Sequence, residues 1–123
     1  MLTRVFVYGT LKSGHGNNRL LRGSELVGMA TTEEPMGFYG KGIPFMFHEP
    51  AEGHEAVKVR GELWDVDNET LKALDQLEGH PTWYRREITS LRDDYGNRVH
   101  AYAYFMQGDP STSYGLPIKS GVF

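Results

Sequence analysis

Residues 2–8 open the chain with an almost unbroken run of apolar and β-branched side chains that stops at Gly9. A run that is apolar at nearly every position predicts a strand covered on both faces, central in its sheet. Residues 10–16 are glycine and small polar residues and read as a loop. Asn17 or Asn18 then caps a short helix through Leu21 that ends near Gly23. Residues 25–34 predict a second strand. Residues 35–42 are interrupted by Pro35 and three glycines and read as a turn with a short strand. Residues 43–48 predict a further strand, against which Pro44 counts, because proline cannot donate to a ladder. Residues 50–56 are polar and acidic, a surface loop. Residues 57–66 read as a strand, with Val57, Val59, Gly61, Leu63 and Asp65 alternating with Lys58, Arg60, Glu62, Trp64 and Val66.

The clearest helix covers residues 69–78. Asp67 or Asn68 stands at its N-cap, Gly79 stands where a left-handed C-terminal cap is wanted, and Pro81 prevents continuation. Residues 84–91 and 99–106 predict a hairpin around the turn sequence Asp94-Tyr95-Gly96-Asn97. Residues 107–123 are rich in Gly, Ser and Pro and carry no clear period. Many strands, few helices and no regular βαβ alternation predict an α+β fold. Its sheet is mostly antiparallel or mixed and curls towards a small barrel. No internal repeat or linker divides the 123 residues, so one domain with a variable tail (107–123) is expected.

Composition narrows the function classes. With 39% hydrophobic and 24% charged residues the chain reads as soluble and globular. A formal net charge of −3 and the absence of a Lys/Arg block exclude the electrostatic footprint of a nucleic-acid binder. There is no cysteine, which removes disulfides, a thiolate nucleophile and a Cys-based zinc site. Met1-Leu2-Thr3-Arg4-Val5 is not a signal peptide, and no apolar stretch approaches the roughly 18 residues that span a bilayer. A cytoplasmic protein with no membrane partner is the expectation.

The 69–78 helix carries the first candidate chemistry. At about 100° per residue, Leu71 and Glu78 fall within roughly 20° of each other, with Leu74 and Asp75 on the same side. The face that should enter the core therefore holds two carboxyls, and such breaks in binary patterning often mark functional sites. Glu78 also sits in the last turn, where the helix dipole is negative. Burial and dipole both disfavour its carboxylate and raise its pKa towards a range useful for proton transfer. Two readings follow for Glu78: an acid/base group, or a structural ion pair with Arg85 or Arg86. Asp75 reads as structural, bonding backbone amides or an arginine.

The second candidate is Tyr8-Gly9-Thr10-Leu11, where a buried strand ends in a glycine. Amides exposed in such a turn can hold an anion or a developing oxyanion. Gly9, Gly14 and Gly16 match neither phosphate-loop spacing. His15, His48, His54, His80 and His100 are scattered, with no paired metal-ligand spacing. No serine sits in a GxSxG elbow. Trp64, Trp83, Tyr84, Tyr102 and Tyr104 read as core or cleft lining.

Together, Val5-Phe6-Val7-Tyr8-Gly9-Thr10-Leu11-Lys12 with Gly14 and Asn17, Gly61-Glu62-Leu63-Trp64-Asp65-Val66, and Leu71, Leu74-Asp75, Leu77-Glu78-Gly79, Pro81 and Tyr84-Arg85-Arg86 resemble the γ-glutamylcyclotransferase-like proteins. Ile43-Pro44-Phe45 resembles the γ-glutamylamine cyclotransferase branch. The resemblance runs over residues 4–106. It implies a small β-barrel with flanking helices and a cleft between the Tyr8–Leu11 loop and the end of the Glu78 helix. It implies that Glu78 is the catalytic acid/base and that Tyr8, Gly9, Thr10, Leu11, Ile43, Pro44 and Tyr84 bind a small γ-glutamyl substrate. The implied reaction releases 5-oxoproline and requires no cofactor and no metal. The alternatives are removal of a γ-glutamyl group from a larger, carrier- or peptide-linked substrate, and a non-catalytic module holding a γ-glutamyl-like ligand in the same cleft.

Overall fold

The computed structural model describes residues 1–40, 42–110 and 114–123. Lys41, from the turn expected over 35–42, and residues 111–113 of the tail lie outside them. In chain order the strands are β1 (Thr3–Val7), β2 (Glu25–Thr32), β3 (Gly37–Gly40), β4 (Pro44–Phe47), β5 (Arg60–Val66), β6 (Tyr84–Asp93), β7 (Arg98–Met106) and β8 (Leu116–Pro117). A 3-10 turn spans Asn18–Leu21, and the helix α1 spans Asn68–Glu78. Five strands close into a mixed barrel in the order β1-β5-β2-β6-β7, and β4-β3-β8 form a separate small sheet.

β1 lies between two partners, antiparallel to β5 from Thr3↔Val66 to Val7↔Glu62 and parallel to β7 at Val5↔Tyr102. Its unbroken apolar run now has a physical reason. Phe6 joins Ala30, Leu63, Leu91, Ala101, Ala103 and Phe105, drawn from all five strands, inside the barrel. Val5 and Val7 face the other way and pack with Leu74, Trp64, Tyr84 and Tyr104, where α1 and the small sheet cover the barrel wall.

The helix ends as its caps predict. Asp67 accepts a hydrogen bond from the Thr70 amide at 2.8 Å. Gly79 takes φ 65°, a conformation glycine adopts without cost, and the His80 amide returns to the Asp75 carbonyl at 2.9 Å. The hairpin pairs from Tyr84↔Met106 to Arg92↔Arg98, beyond the limits expected, because Asp93 Oδ1 accepts from the Tyr95 and Asn97 amides and squares the turn.

Three expectations are corrected, and the tail shows structure that its sequence pattern did not signal. The strand expected over 57–66 starts only at Arg60; Val57 instead forms an isolated bridge with Met36. Asn17 occupies the N-cap position of the 3-10 turn, but its side chain caps nothing and donates to Thr10 Oγ1 at 2.9 Å. Pro44 does not weaken its strand, because it is the first residue of β4, where a missing N–H costs least. The tail has structure: β8 pairs with Tyr39 and Gly40, the Arg60 amide donates to the Gly121 carbonyl, and the Tyr114 ring stands edge-on to Phe45 and Phe47. No helix among the described residues is long and apolar enough to cross a membrane.

Candidate active site

A cavity of about 120 Å³ opens where β1 runs out into its loop, beside the C-terminal end of α1. Tyr8, Gly9, Thr10, Leu11, Ile43, Pro44, Glu78 and Tyr84, singled out from the sequence, all line it. Asn17, Leu77, Trp83 and Tyr104 line it with them. The sequence offers Asn17 as a helix cap and as part of the opening motif, and Leu77 as part of a motif, neither of them as cavity lining. Their spacing carries no signal, because Asn17 arrives through the loop fold and Leu77 through the last turn of α1.

Gly9 sets the shape of the loop by its lack of a side chain. A Cβ there would lie 2.5 Å from Pro44 Cγ and 3.0 Å from Pro44 Cδ, so the loop and β4 can close on each other only at a glycine. Pro44 is itself held, its carbonyl accepting from the Tyr84 hydroxyl at 3.0 Å. The loop folds back through Lys12 N to Gly9 O (3.0 Å) and Asn17 N to Thr10 O (3.0 Å). The Gly9, Thr10 and Leu11 amides find no acceptor among the described residues. Three consecutive donors of a loop that lines the cavity are thereby left for a ligand or water.

The loop rests on Glu62, a buried carboxylate on β5 that sequence reasoning passed over as one member of an alternating strand. Its Oε1 accepts from the Ser13 amide (2.8 Å), the Ser13 hydroxyl (3.3 Å) and the Trp64 indole N–H (3.1 Å). No periodicity could reveal this, since the donors come from the folded loop. Glu62→Ala would leave the buried Trp64 indole N–H without its acceptor, at a cost of about 1–3 kcal/mol, while the amide of exposed Ser13 can turn to water. A drop of that size in denaturant-unfolding free energy is the expected result.

Glu78 has no ion pair among the described residues. The structural pairing open to it in the sequence does not form: Arg85 is exposed, and Arg86 Nε and Nη2 engage Asp75 at 2.8 and 3.1 Å. Burial opposes the Asp75 carboxylate, but Arg86 and the Tyr104 hydroxyl (2.7 Å) outweigh it and hold its pKa below the ordinary range. Asp75 thus takes the structural role expected of it. Glu78 lacks such support, and burial raises its pKa from 4.5 to about 7. One helix therefore carries two carboxyls pushed in opposite directions by their surroundings.

The three cavity tyrosines are buried, which raises all three phenols and keeps them protonated. Each hydroxyl is engaged: Tyr8 donates to the Tyr104 carbonyl, Tyr84 to Pro44, and Tyr104 to Asp75. They act as walls, while Glu78 and the loop amides are polar groups of the lining without a protein partner among the described residues.

The raised pKa has a stability consequence. Glu78 ionises near 4.5 when unfolded and near 7 in the fold. Between those values the folded chain binds more protons, so stability falls as pH rises and the loss is complete above about 7. Glu78→Gln removes that penalty. The variant is expected to be more stable than the parent at pH 8 by about 1–3 kcal/mol. The two should converge below pH 4.5. Thermal melts at both pH values test this.

Comparison with known proteins agrees with the geometry. Residues 5–123 match the model of the family described as "Gamma-glutamyl cyclotransferase, AIG2-like". A Methanocaldococcus jannaschii protein provisionally named a gamma-glutamylcyclotransferase is 36% identical over 118 residues, covering 95% of this chain and 92% of that one. The Rattus norvegicus gamma-glutamylaminecyclotransferase is 36% identical over 100 residues, covering 74% of this chain and 64% of that one. Among solved structures, an AIG2-like protein of Mus musculus superposes with a TM-score of 0.81 at 25% identity, covering 99% of this chain and 88% of that one. The barrel, the cavity and these likenesses lead to one conclusion: the chain belongs to the AIG2-like gamma-glutamyl cyclotransferase family and is a cyclotransferase of that kind.

Proposed function

We propose that the protein releases 5-oxoproline from a γ-glutamyl amine or γ-glutamyl amino acid, with Glu78 as general acid and base. The observation that carries this is a half-buried carboxyl with no cation partner among the described residues, lining the same cavity as three amides without a protein acceptor.

The substrate's α-carboxylate lies against the Gly9–Leu11 amides. Glu78, as carboxylate, takes one proton from the α-ammonium group. The freed amine attacks the γ-carbonyl carbon of the same molecule and closes a five-membered ring. Loop donors stabilise the oxyanion. Glu78 then hands its proton to the leaving nitrogen as the γ-carbon–nitrogen bond breaks. The ring nitrogen sheds a second proton, which ends on the released amine, and Glu78 returns to its starting state. No water is consumed. Nucleophile and electrophile share one molecule, so binding it in the folded pose supplies much of the rate.

Incubation with γ-glutamyl amino acids, γ-glutamyl amines and γ-glutamyl-ε-lysine, followed by mass spectrometry for 5-oxoproline, tests the reaction. Release from at least one member supports it. Tight binding of 5-oxoproline without turnover of any member would point to the binding module instead. The pH profile gives a further expectation. The base form of Glu78 is required, so kcat/KM should fall about tenfold per unit below pH 7 and level off above it. A profile flat from pH 5 to pH 8 would remove Glu78 from the base role.

A further inference from the structure

The cavity is asymmetric. Its deep end is closed by Phe6, Tyr8 and Leu11, which are 0%, 6% and 4% exposed. At its other side stand two apolar side chains that reach solvent, Trp83 and Leu77, 48% and 36% exposed. Both flank Glu78, Leu77 as the preceding residue and Trp83 across the Gly79 turn.

Trp83 is held firmly. Its amide donates to the Gly79 carbonyl at 2.8 Å, and Gln107 Nε2 ties the Pro81 and Trp83 carbonyls at 2.7 and 3.3 Å. The indole stands edge-on to Tyr84, ring centroids 5.0 Å apart. Trp83 packs against the bare Gly79 backbone, where an added Cβ would come within 3.0 Å of Trp83 Cβ. A large aromatic on a backbone held this way, its ring against Tyr84 and half its surface in water, forms an apolar shelf at a cavity mouth.

We propose that Trp83 and Leu77 form the leaving-group subsite, a shelf for an unbranched alkyl chain on the departing amine, and that they set a preference for longer over shorter amines. This rests on the cyclisation reading above. The argument is one of direction. The glutamyl portion must fold on itself between Glu78 and the Gly9–Leu11 amides. The substituent on the leaving nitrogen has the open side left to it, and Leu77 and Trp83 line that side. Glu78 is the one charged side chain in the described lining, so packing of the chain rather than ion pairing governs the choice.

The test is the kcat/KM series for the γ-glutamyl amides of methylamine, ethylamine, propylamine and butylamine. On a half-open shelf each added methylene should raise kcat/KM about two- to four-fold. Trp83→Ala should flatten the butyl-to-methyl ratio to within about two-fold, and Trp83→Phe should keep part of it. Leu77→Ser provides a second variant, with the same flattening expected, should Trp83→Ala fold poorly. A chain-length profile already flat in the parent, or an unchanged ratio in both Trp83→Ala and Leu77→Ser, overturns the subsite while leaving the cyclisation intact. Failure of the parent on every alkyl amide while a γ-glutamyl amino acid is turned over overturns the subsite alone; failure on both classes overturns the cyclisation reading and the subsite with it.

Discussion

Glu78→Gln is expected to lower 5-oxoproline release by about 10²–10⁴-fold, the range contributed by a positioned acid/base group. The substitution keeps the shape of the side chain and removes its ability to exchange a proton. Because burial already disfavours the charged form, the fold gains nothing from ionised Glu78 and the variant should fold normally. Loss of turnover together with an unchanged or higher melting temperature at pH 8 separates a chemical role from a structural one. Asp75, on the same helix, gives the contrast. Asp75→Asn breaks the Arg86 pairing and is expected to lower stability. Retention of more than about a tenth of the parent kcat by Glu78→Gln would exclude it as the proton carrier.

Gly9→Ala is expected to lower kcat/KM by about a hundredfold or more. The new methyl group would meet the Pro44 ring at 2.5 Å, and Pro44 cannot retreat easily, since its carbonyl holds the Tyr84 hydroxyl and, at the start of β4, it pairs with Gly40 of β3. The loop must therefore move, carrying with it the three amides that share the cavity with Glu78. A displacement near 1 Å in a positioning element costs about 10² in rate. Overpacking should also lower stability by about 1–3 kcal/mol. Gly16→Ala is the matched control. It lies in the same stretch of chain, lines no part of this cavity, and a Cβ there meets nothing within 4 Å. Equal losses in the two variants would show that the close approach to Pro44 does not govern the rate.

The parts of the fold legible in the sequence are those whose causes are local. The Asp67 and Gly79 caps fix α1, and the Asp93–Asn97 turn fixes the hairpin, because donor and acceptor lie within a few residues. The two-sided burial of β1 was legible because it needs apolar residues at consecutive positions. What escaped depends on partners far along the chain. β8 is two residues long and is a strand only because Tyr39 and Gly40 lie beside it. Val57 departs from β5 because Met36 takes both of its backbone bonds. In the cavity the residue identities were legible and their company was not. The sequence left Arg86 equally available to Asp75 and Glu78, and only the geometry gives it to Asp75. Glu62 looked like a strand residue until the folded loop supplied Ser13.

The placement of β1 bears on how the protein comes into being. The first strand of the barrel has no partner near it in the chain: β5 begins at Arg60 and β7 ends at Met106. During translation β1 must wait, unpaired, until β5 has left the ribosome, and its second partner, β7, follows later still. Such high contact order places refolding towards the slower, millisecond-to-second end of small-domain kinetics. Catalytic competence should then appear together with barrel closure as a single late event, with no partly active nascent chain before it.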